Sequence, residues 1–170
     1  MIIDLLSRFV VGWALRAVND RHLTIGALDL ALRRRCPGAG LLHHSNQGST
    51  YASEDYQQVL DEHGITCSMS RRGNCYDNAA MESSNSTPKS ELGERFLDRG
   101  DAKAKLFDYL EVFYDQARMH SSIDCASPAE FERNALKAAA GVTNRGRTGG
   151  LRSLRRTSST HSTRRLMRVP

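Results

Sequence analysis

The chain is 170 residues long, 39% hydrophobic and 25% charged, within the range of one ordinary globular domain and unlike a wholly disordered chain. Its 24 Lys and Arg against 19 Asp and Glu give a net charge of +5, but the excess is local. Residues 141–170 hold eight Arg and neither Lys nor acid, so residues 1–140 carry 16 basic and 19 acidic side chains, a net of −3. The basic character belongs to a tail, which excludes any argument from whole-chain charge to a basic nucleic-acid face. The chain holds no run of about 18 apolar residues, the length a transmembrane helix needs, so no membrane association is expected. The apolar N-terminal stretch is interrupted by Asp4, Arg8 and Arg16 and does not read as a signal peptide. Cys36, Cys67, Cys75 and Cys125 form no C-x-x-C pair, a usage that fits free thiols in a reducing cytoplasm.

Met1–Leu6 and Phe9–Val18 are β-rich runs that predict a hairpin around Ser7-Arg8, with Val10, Val11, Trp13 and Leu15 buried. In His22–Arg35 the residues Leu23, Ala27, Leu30 and Ala31 recur at helical spacing, and Cys36-Pro37-Gly38 stops the helix. Gly40–His44 reads as a short buried strand. Ser53 is placed to cap a helix with Glu54 and Asp55 in its first turn and Tyr56, Val59, Leu60 and His63 on its face, ended by Gly64. Ile65–Met69 predicts another strand and Arg71–Asp77 a polar loop. From Asp101, expected as a cap, the residues Leu106, Tyr109, Leu110, Phe113, Tyr114 and Ala117 keep one apolar helical face. Ser127-Pro128-Ala129-Glu130 is a capping box opening a last helix to about Ala140. The order is β-β-α-β-α-β-α-α-α, an α/β arrangement with a mixed sheet. From Gly141, Gly, Ser, Thr and Arg replace the apolar pattern, and that tail reads as disordered.

Two stretches carry candidate chemistry. Leu41 to Tyr51 leaves a buried strand for a polar turn, the place where α/β sheets usually site function. Asn78-Ala79-Ala80-Met81-Glu82-Ser83 follows the polar loop and opens a helix, with 35 residues separating Asn46 from Glu82. Six motifs stand in order: Ile3-Asp4-Leu5-Leu6-Ser7-Arg8 with Val10-Val11-Gly12-Trp13; His43-His44-Ser45 with Gly48-Ser49 and Tyr51; Asp77-Asn78-Ala79 with Glu82-Ser83; Lys89 with Glu91-Leu92; Phe113-Tyr114 with Arg118 and His120-Ser121; and Ser127-Pro128. On these residues, over about 2–135, the chain resembles the catalytic core of bacterial insertion-sequence transposases, relatives of retroviral integrases with an RNase H-like fold.

The resemblance implies an RNase H-like mixed sheet with flanking helices, a partial integrase core over 1–135, and a helix end and disordered Arg-rich tail over 136–170. It implies DNA as partner and DNA integration and transposition as function. Its chemistry is phosphoryl transfer by two divalent cations, normally Mg²⁺, held by Asp, Asp and Glu. Here the pattern is broken. Asn46 stands at the position of the second Asp. The first acid precedes the Ile-Asp-Leu motif with which this chain opens, so the first strand is expected to be missing, and Asp4 is the family's non-catalytic Asp. Glu82 alone of the three ligands remains. Losing about 4 kcal/mol of charge stabilisation at one ligand is worth about three decades in rate. Ser84, Asn85 and Pro88 replace bulky apolar residues after Glu82, so that helix is expected to break near Thr87. The copy is therefore expected to be catalytically inactive.

Blander readings stand beside these. His43 and His44 point to opposite faces of a strand, so they do not share a metal, and with Cys67 and Cys75 they fit no zinc spacing. One is expected in the core and one near the cleft. Arg71 and Arg72 are as readily solvated surface as phosphate contacts, whereas Lys89 matches the family motif and is read as DNA-binding. Tyr109, Phe113 and Tyr114 are expected in the core, and Arg118 and His120 at the end of their helix. The tail binds DNA electrostatically or is appended sequence without a role, and the second is favoured. A rival function is a non-catalytic DNA-binding or interaction protein that forms homo-oligomers or poisons an intact transposase.

Overall fold

The computed structural model describes residues 1–70, 92, 96–144 and 166–168, and of 141–144 and 166–168 only the backbone. Strands β1 (Ile2–Asp4) and β2 (Val10–Gly12) form the expected hairpin, antiparallel and shorter than the apolar runs suggest. The turn closes on Asp4. Its carbonyl accepts from Arg8 N (2.7 Å), its N–H donates to Phe9 O (2.9 Å), and its Oδ1 accepts from Leu6 N (2.9 Å). Arg8 takes φ of +63°, a left-handed conformation uncommon outside Gly, Asn and Asp.

Helix α1 (Arg21–Arg35) is capped by Asp20, whose Oδ1 accepts from Leu23 N at 3.0 Å. It ends at Cys36 in the left-handed region, with Cys36 N donating to Leu32 O. Strand β3 (Leu42–Ser45) leads through a polar turn to α2 (Glu54–Glu62) and then to β4 (Thr66–Met69), parallel to β3. Ser53 occupies the cap position of α2, but its hydroxyl donates to Thr50 O (2.8 Å) instead of capping.

Helix α3 (Arg99–Phe107) corrects the expected cap. Asp98 is the cap and accepts from Asp101 N (2.8 Å), while the Asp101 carboxylate accepts from Leu97 N (3.0 Å), one residue before the cap. The helix continues as a π-helical segment, Asp108–Tyr114, whose wider turns show in bonds from Asp115 N to Leu110 O and from Arg118 N to Phe113 O. The wider turn rotates the buried face. Tyr109, Leu110 and Tyr114 are buried as predicted, but Phe113 is 46% exposed and Ala117 is exposed, which corrects the expectation of a stripe at α-helical spacing. A 3₁₀ turn (Ser121–Ile123) precedes helix α4 (Pro128–Asn144), opened by Ser127 Oγ accepting from Glu130 N (3.3 Å).

Strand β5 (Leu166–Arg168) overturns part of the disordered-tail expectation, as does the extension of α4 to Asn144. A three-residue strand is too short to show periodicity, and what it gains is ladder bonding to two strand edges at once. The sheet order is β2-β1-β5-β3-β4, with β5 antiparallel to β1 and parallel to β3. The α/β mixed sheet is as expected, with five strands among the described residues where the sequence predicts four.

Alternation puts one core on each face. Ile2 and Val11 pack with Ala27, Leu28, Ala31 and Leu32 of α1 and Tyr56 and Leu60 of α2. Ile3, Val10 and Trp13 pack with Tyr109, Leu110 and Tyr114. Gly12 lets α1 lie directly on the hairpin, since a Cβ there would fall 2.2 Å from Ala27 O. Long-range polar contacts tie the layers. Asp115, fully buried, accepts from Val10 N at the β2 edge (2.9 Å), and its carbonyl accepts from Ala129 N (2.9 Å). Glu132 of α4 takes both Arg35 nitrogens (2.7 and 2.8 Å) and the Ser7 hydroxyl (2.7 Å). Glu111 accepts from Trp13 Nε1 (2.7 Å) and pairs with Arg34. No helix of the described residues is long and apolar enough to cross a membrane.

Candidate functional site

The site is built on β3 and the turn that follows it. Strand alternation turns His43 and Ser45 inward and leaves Leu42 and His44 half-buried. His43 Nε2 shares a 3.0 Å hydrogen bond with the Tyr56 hydroxyl, and their rings lie 5.7 Å apart. Burial, with the charge of His44 second, lowers the His43 pKa to about 4, so its ring is neutral at physiological pH. His44 Nδ1 lies 3.0 Å from Ser68 Oγ on β4. His43 is thus the core histidine and His44 the one toward the surface, each with its own hydroxyl partner.

Past Ser45 the chain turns at Asn46. Its Oδ1 accepts from Gly48 N at 2.8 Å, an Asx-turn that fixes the side chain against its own backbone. Space is tight at Gly48, where a Cβ would lie 2.8 Å from that side-chain oxygen and 3.3 Å from Tyr51 Cδ2, so the Asn46 side chain would have to shift. Gly48 O then accepts from Tyr51 N and Ala52 N, and Tyr51 O accepts from Gln57 Nε2 (2.6 Å). The Tyr51 and Tyr56 rings meet edge to face at 5.5 Å. Burial pushes the Tyr51 hydroxyl pKa to about 12 and raises that of Tyr56 as well. The turn is therefore tied at successive points to α2, and Asn46 sits on a fixed platform at the C-terminal end of a central strand.

Asp4 does not join it. Register through β5 sets Asp4 level with His43, three residues short of Asn46, and its carboxylate is 1% exposed and engaged by its own turn. Arg118 and His120 finish the π-helical segment. Arg118 Nη1 donates to Tyr109 OH (3.0 Å), and the His120 ring meets Tyr114 at 4.9 Å. Glu82, Lys89, Arg71 and Arg72 lie outside the described residues, as do Cys75 and the expected break near Thr87. Among the described residues, no three His, Cys, Asp or Glu side chains are grouped to hold a metal ion. Asp115 was not visible as special in the sequence. Burial pushes its pKa up to about 8, although the bond from Val10 N pulls the other way.

The chain matches two models of the integrase core domain, one over residues 1–75 and one over residues 63–128. It is 41% identical over 139 residues to an uncharacterized 31 kDa protein of insertion element IS600 from Shigella sonnei, covering 81% of this chain and 51% of that protein. It is 41% identical over 133 residues to the transposase for insertion sequence element IS904 of Lactococcus lactis, covering 77% and 53%. With the transposase InsF for insertion sequence IS3A of Escherichia coli it shares 39% identity over 138 residues, 80% and 48% of the two chains. The chain spans about half the length of these curated relatives. Matches over successive stretches of the chain agree with one another and with the six sequence motifs: the chain belongs to the integrase core family of insertion-sequence transposases.

Proposed function

We propose that this chain is an RNase H-like integrase core that engages DNA in the cytoplasm and has lost the phosphoryl-transfer step of DNA transposition. The family relationship supports DNA as partner. One observation carries the loss: the residue at the tip of β3, where the resemblance asks for a carboxylate, is Asn46, and its oxygen already accepts the Gly48 N–H. Hard divalent cations such as Mg²⁺ favour anionic oxygen donors. Asn46 offers a neutral one, so this position does not fit the cation pair. Glu82 is the one acid of the pattern present in the sequence, as the remaining catalytic and metal position, and Lys89, Arg71 and Arg72 are the proposed phosphate contacts. A second reading, a non-catalytic DNA binder that forms mixed oligomers with an intact transposase, is favoured by the eight Arg of residues 141–170.

The test uses the full chain with an element-end oligonucleotide in Mg²⁺ or Mn²⁺. The expected result is DNA retention that falls steeply with salt and no nicked or joined product. A product that disappears in Glu82→Ala overturns the inactivity. Absence of retention at low salt overturns DNA as partner.

A further inference from the structure

Two of the six sequence motifs meet in space. Arg8 lies in the hairpin turn, and Arg118 and His120 follow it at a distance along the chain, where the π-helical segment runs into the 3₁₀ turn. Anchors on either side of Arg8 bring them together. Ser7 Oγ donates to Glu132 Oε1 of α4 (2.7 Å), and Val10 N donates to Oδ1 of Asp115, the residue after Tyr114 (2.9 Å). The Tyr114 ring carries both later residues: Arg118 Cζ lies 5.6 Å from its centroid, and the centre of the His120 ring lies 4.9 Å from it. Arg118 is steadied further by its bond to Tyr109 OH (3.0 Å). Backbone bonds fix His120, whose N–H donates to Ala126 O (3.0 Å) and whose carbonyl accepts from Cys125 N (3.0 Å).

The charges gathered there are of one sign. Burial lowers the His120 pKa, and the positive charges of Arg118 and then Arg8 lower it further, so both guanidinium groups act on the imidazole. Glu132, the acid that the turn reaches through Ser7, is occupied by both Arg35 nitrogens (2.7 and 2.8 Å). Arg8 forms no ion pair among the described residues. Its Nε and the Nε2 of His120 are buried without a hydrogen-bond partner among those residues, while each side chain as a whole is only half-buried. Each is therefore held at its inner edge and open at its outer one. Like charges brought together repel, and an anion between them reverses the sign of that interaction. Side chains already immobilised by packing lose little further entropy in binding one.

We propose that Arg8, Arg118 and His120 form a binding site for a phosphate group, the two guanidinium ions supplying charge and His120 a ring N–H. The planar fork of arginine suits this role because it meets two phosphate oxygens at once. A backbone phosphate of DNA and a free phosphate or phosphate ester share this chemistry. The first of these occupants rests on DNA as the partner of the chain, whereas the site itself does not. It shares no residue with the β3 turn.

Nitrogen-15 and proton spectra of the full chain test it without depending on a variant. Millimolar inorganic phosphate, compared with chloride at the same ionic strength, should move the Arg8 Nε–H and His120 ring signals, and a short DNA duplex should move the same signals. In Arg8→Gln the phosphate dissociation constant should rise about tenfold, the worth of one hydrogen bond to a charged group, while Arg16→Gln, which removes equal charge from an exposed position, should change it by less than about twofold. Shifts with both probes support a backbone phosphate as occupant. Shifts with phosphate alone support the site and assign it to a free phosphate or phosphate ester. Duplex retained by the chain with the Arg8 and His120 signals unmoved by either probe overturns the site and leaves DNA as partner intact. Equal weakening in Arg8→Gln and Arg16→Gln overturns it as well, because the effect is then one of overall charge.

Discussion

Asp115 supplies a prediction whose sign and size follow from its surroundings. The carboxyl is fully buried, Oδ1 accepts from Val10 N, and Oδ2 has no hydrogen-bond partner among the described residues. Burial raises its pKa to about 8 from 3.8. Between those values the folded chain keeps a proton that the unfolded chain releases. Bound protons are then more numerous in the folded state, so stability falls as pH rises, by up to about 1.4 kcal/mol per pH unit from this group. Asp115→Asn keeps an oxygen for Val10 N–H and does not titrate. The variant's stability relative to the parent should therefore rise by about 2 kcal/mol or more between about pH 5 and about pH 8. Urea melts of both chains across that range give the difference directly. Taking the difference removes His43, whose lowered pKa has the opposite effect, stability lost as pH falls from about 6.5 toward 4. Parallel curves, or a variant that loses ground toward the alkaline end, would refute the reasoning.

Three further outcomes are expected. Gly12→Ala should lose about 3 kcal/mol or more, because the added carbon meets Ala27 O at 2.2 Å and Ala31 N at 2.9 Å, backbone that moves only with α1; a change within about 0.5 kcal/mol by chemical denaturation would contradict that packing. Tyr56→Phe should lose about 1–3 kcal/mol by leaving His43 Nε2 buried without its partner, and a neutral result in the same assay would count against the bond. Tyr114→Ala should cost about 3–5 kcal/mol and Phe113→Ala about 1 kcal/mol or less, since the π-helical turn buries one ring and exposes the other; the reverse ranking would restore the α-helical register.

What could be read in the sequence divides by distance along the chain. The cap at Ser127 and the stop at Cys36 are local signals and stand where predicted, because caps and stops involve residues three or four apart. The opposite facing of His43 and His44 follows from strand alternation alone. The cap at Asp98 is equally local, but Asp101 fits the same role in sequence, and only the bond from Asp101 N to Asp98 separates the two acids. The π-helical turn left no compositional mark. Contacts that hold layers together were invisible: Asp115 meets Val10 from 105 positions away, Glu132 meets Ser7 from 125, and β5 pairs with strands more than 100 residues earlier.

The candidate site shows how the two kinds of information separate at one residue. The turn after β3 needs a side-chain oxygen at position 46 and no Cβ at position 48, and both needs are met. A carboxylate could accept the same Gly48 N–H, so the turn does not distinguish Asp from Asn. Charge is what differs, and charge enters only when a cation or a phosphate is bound. An exchange of Asp and Asn at position 46 can therefore change the local charge without disturbing the turn, whereas a side chain at Gly48 would press on the Asn46 and Tyr51 side chains and one at Gly12 on the backbone of α1. This is why the motifs of the β3 turn are compatible with either Asp or Asn at position 46.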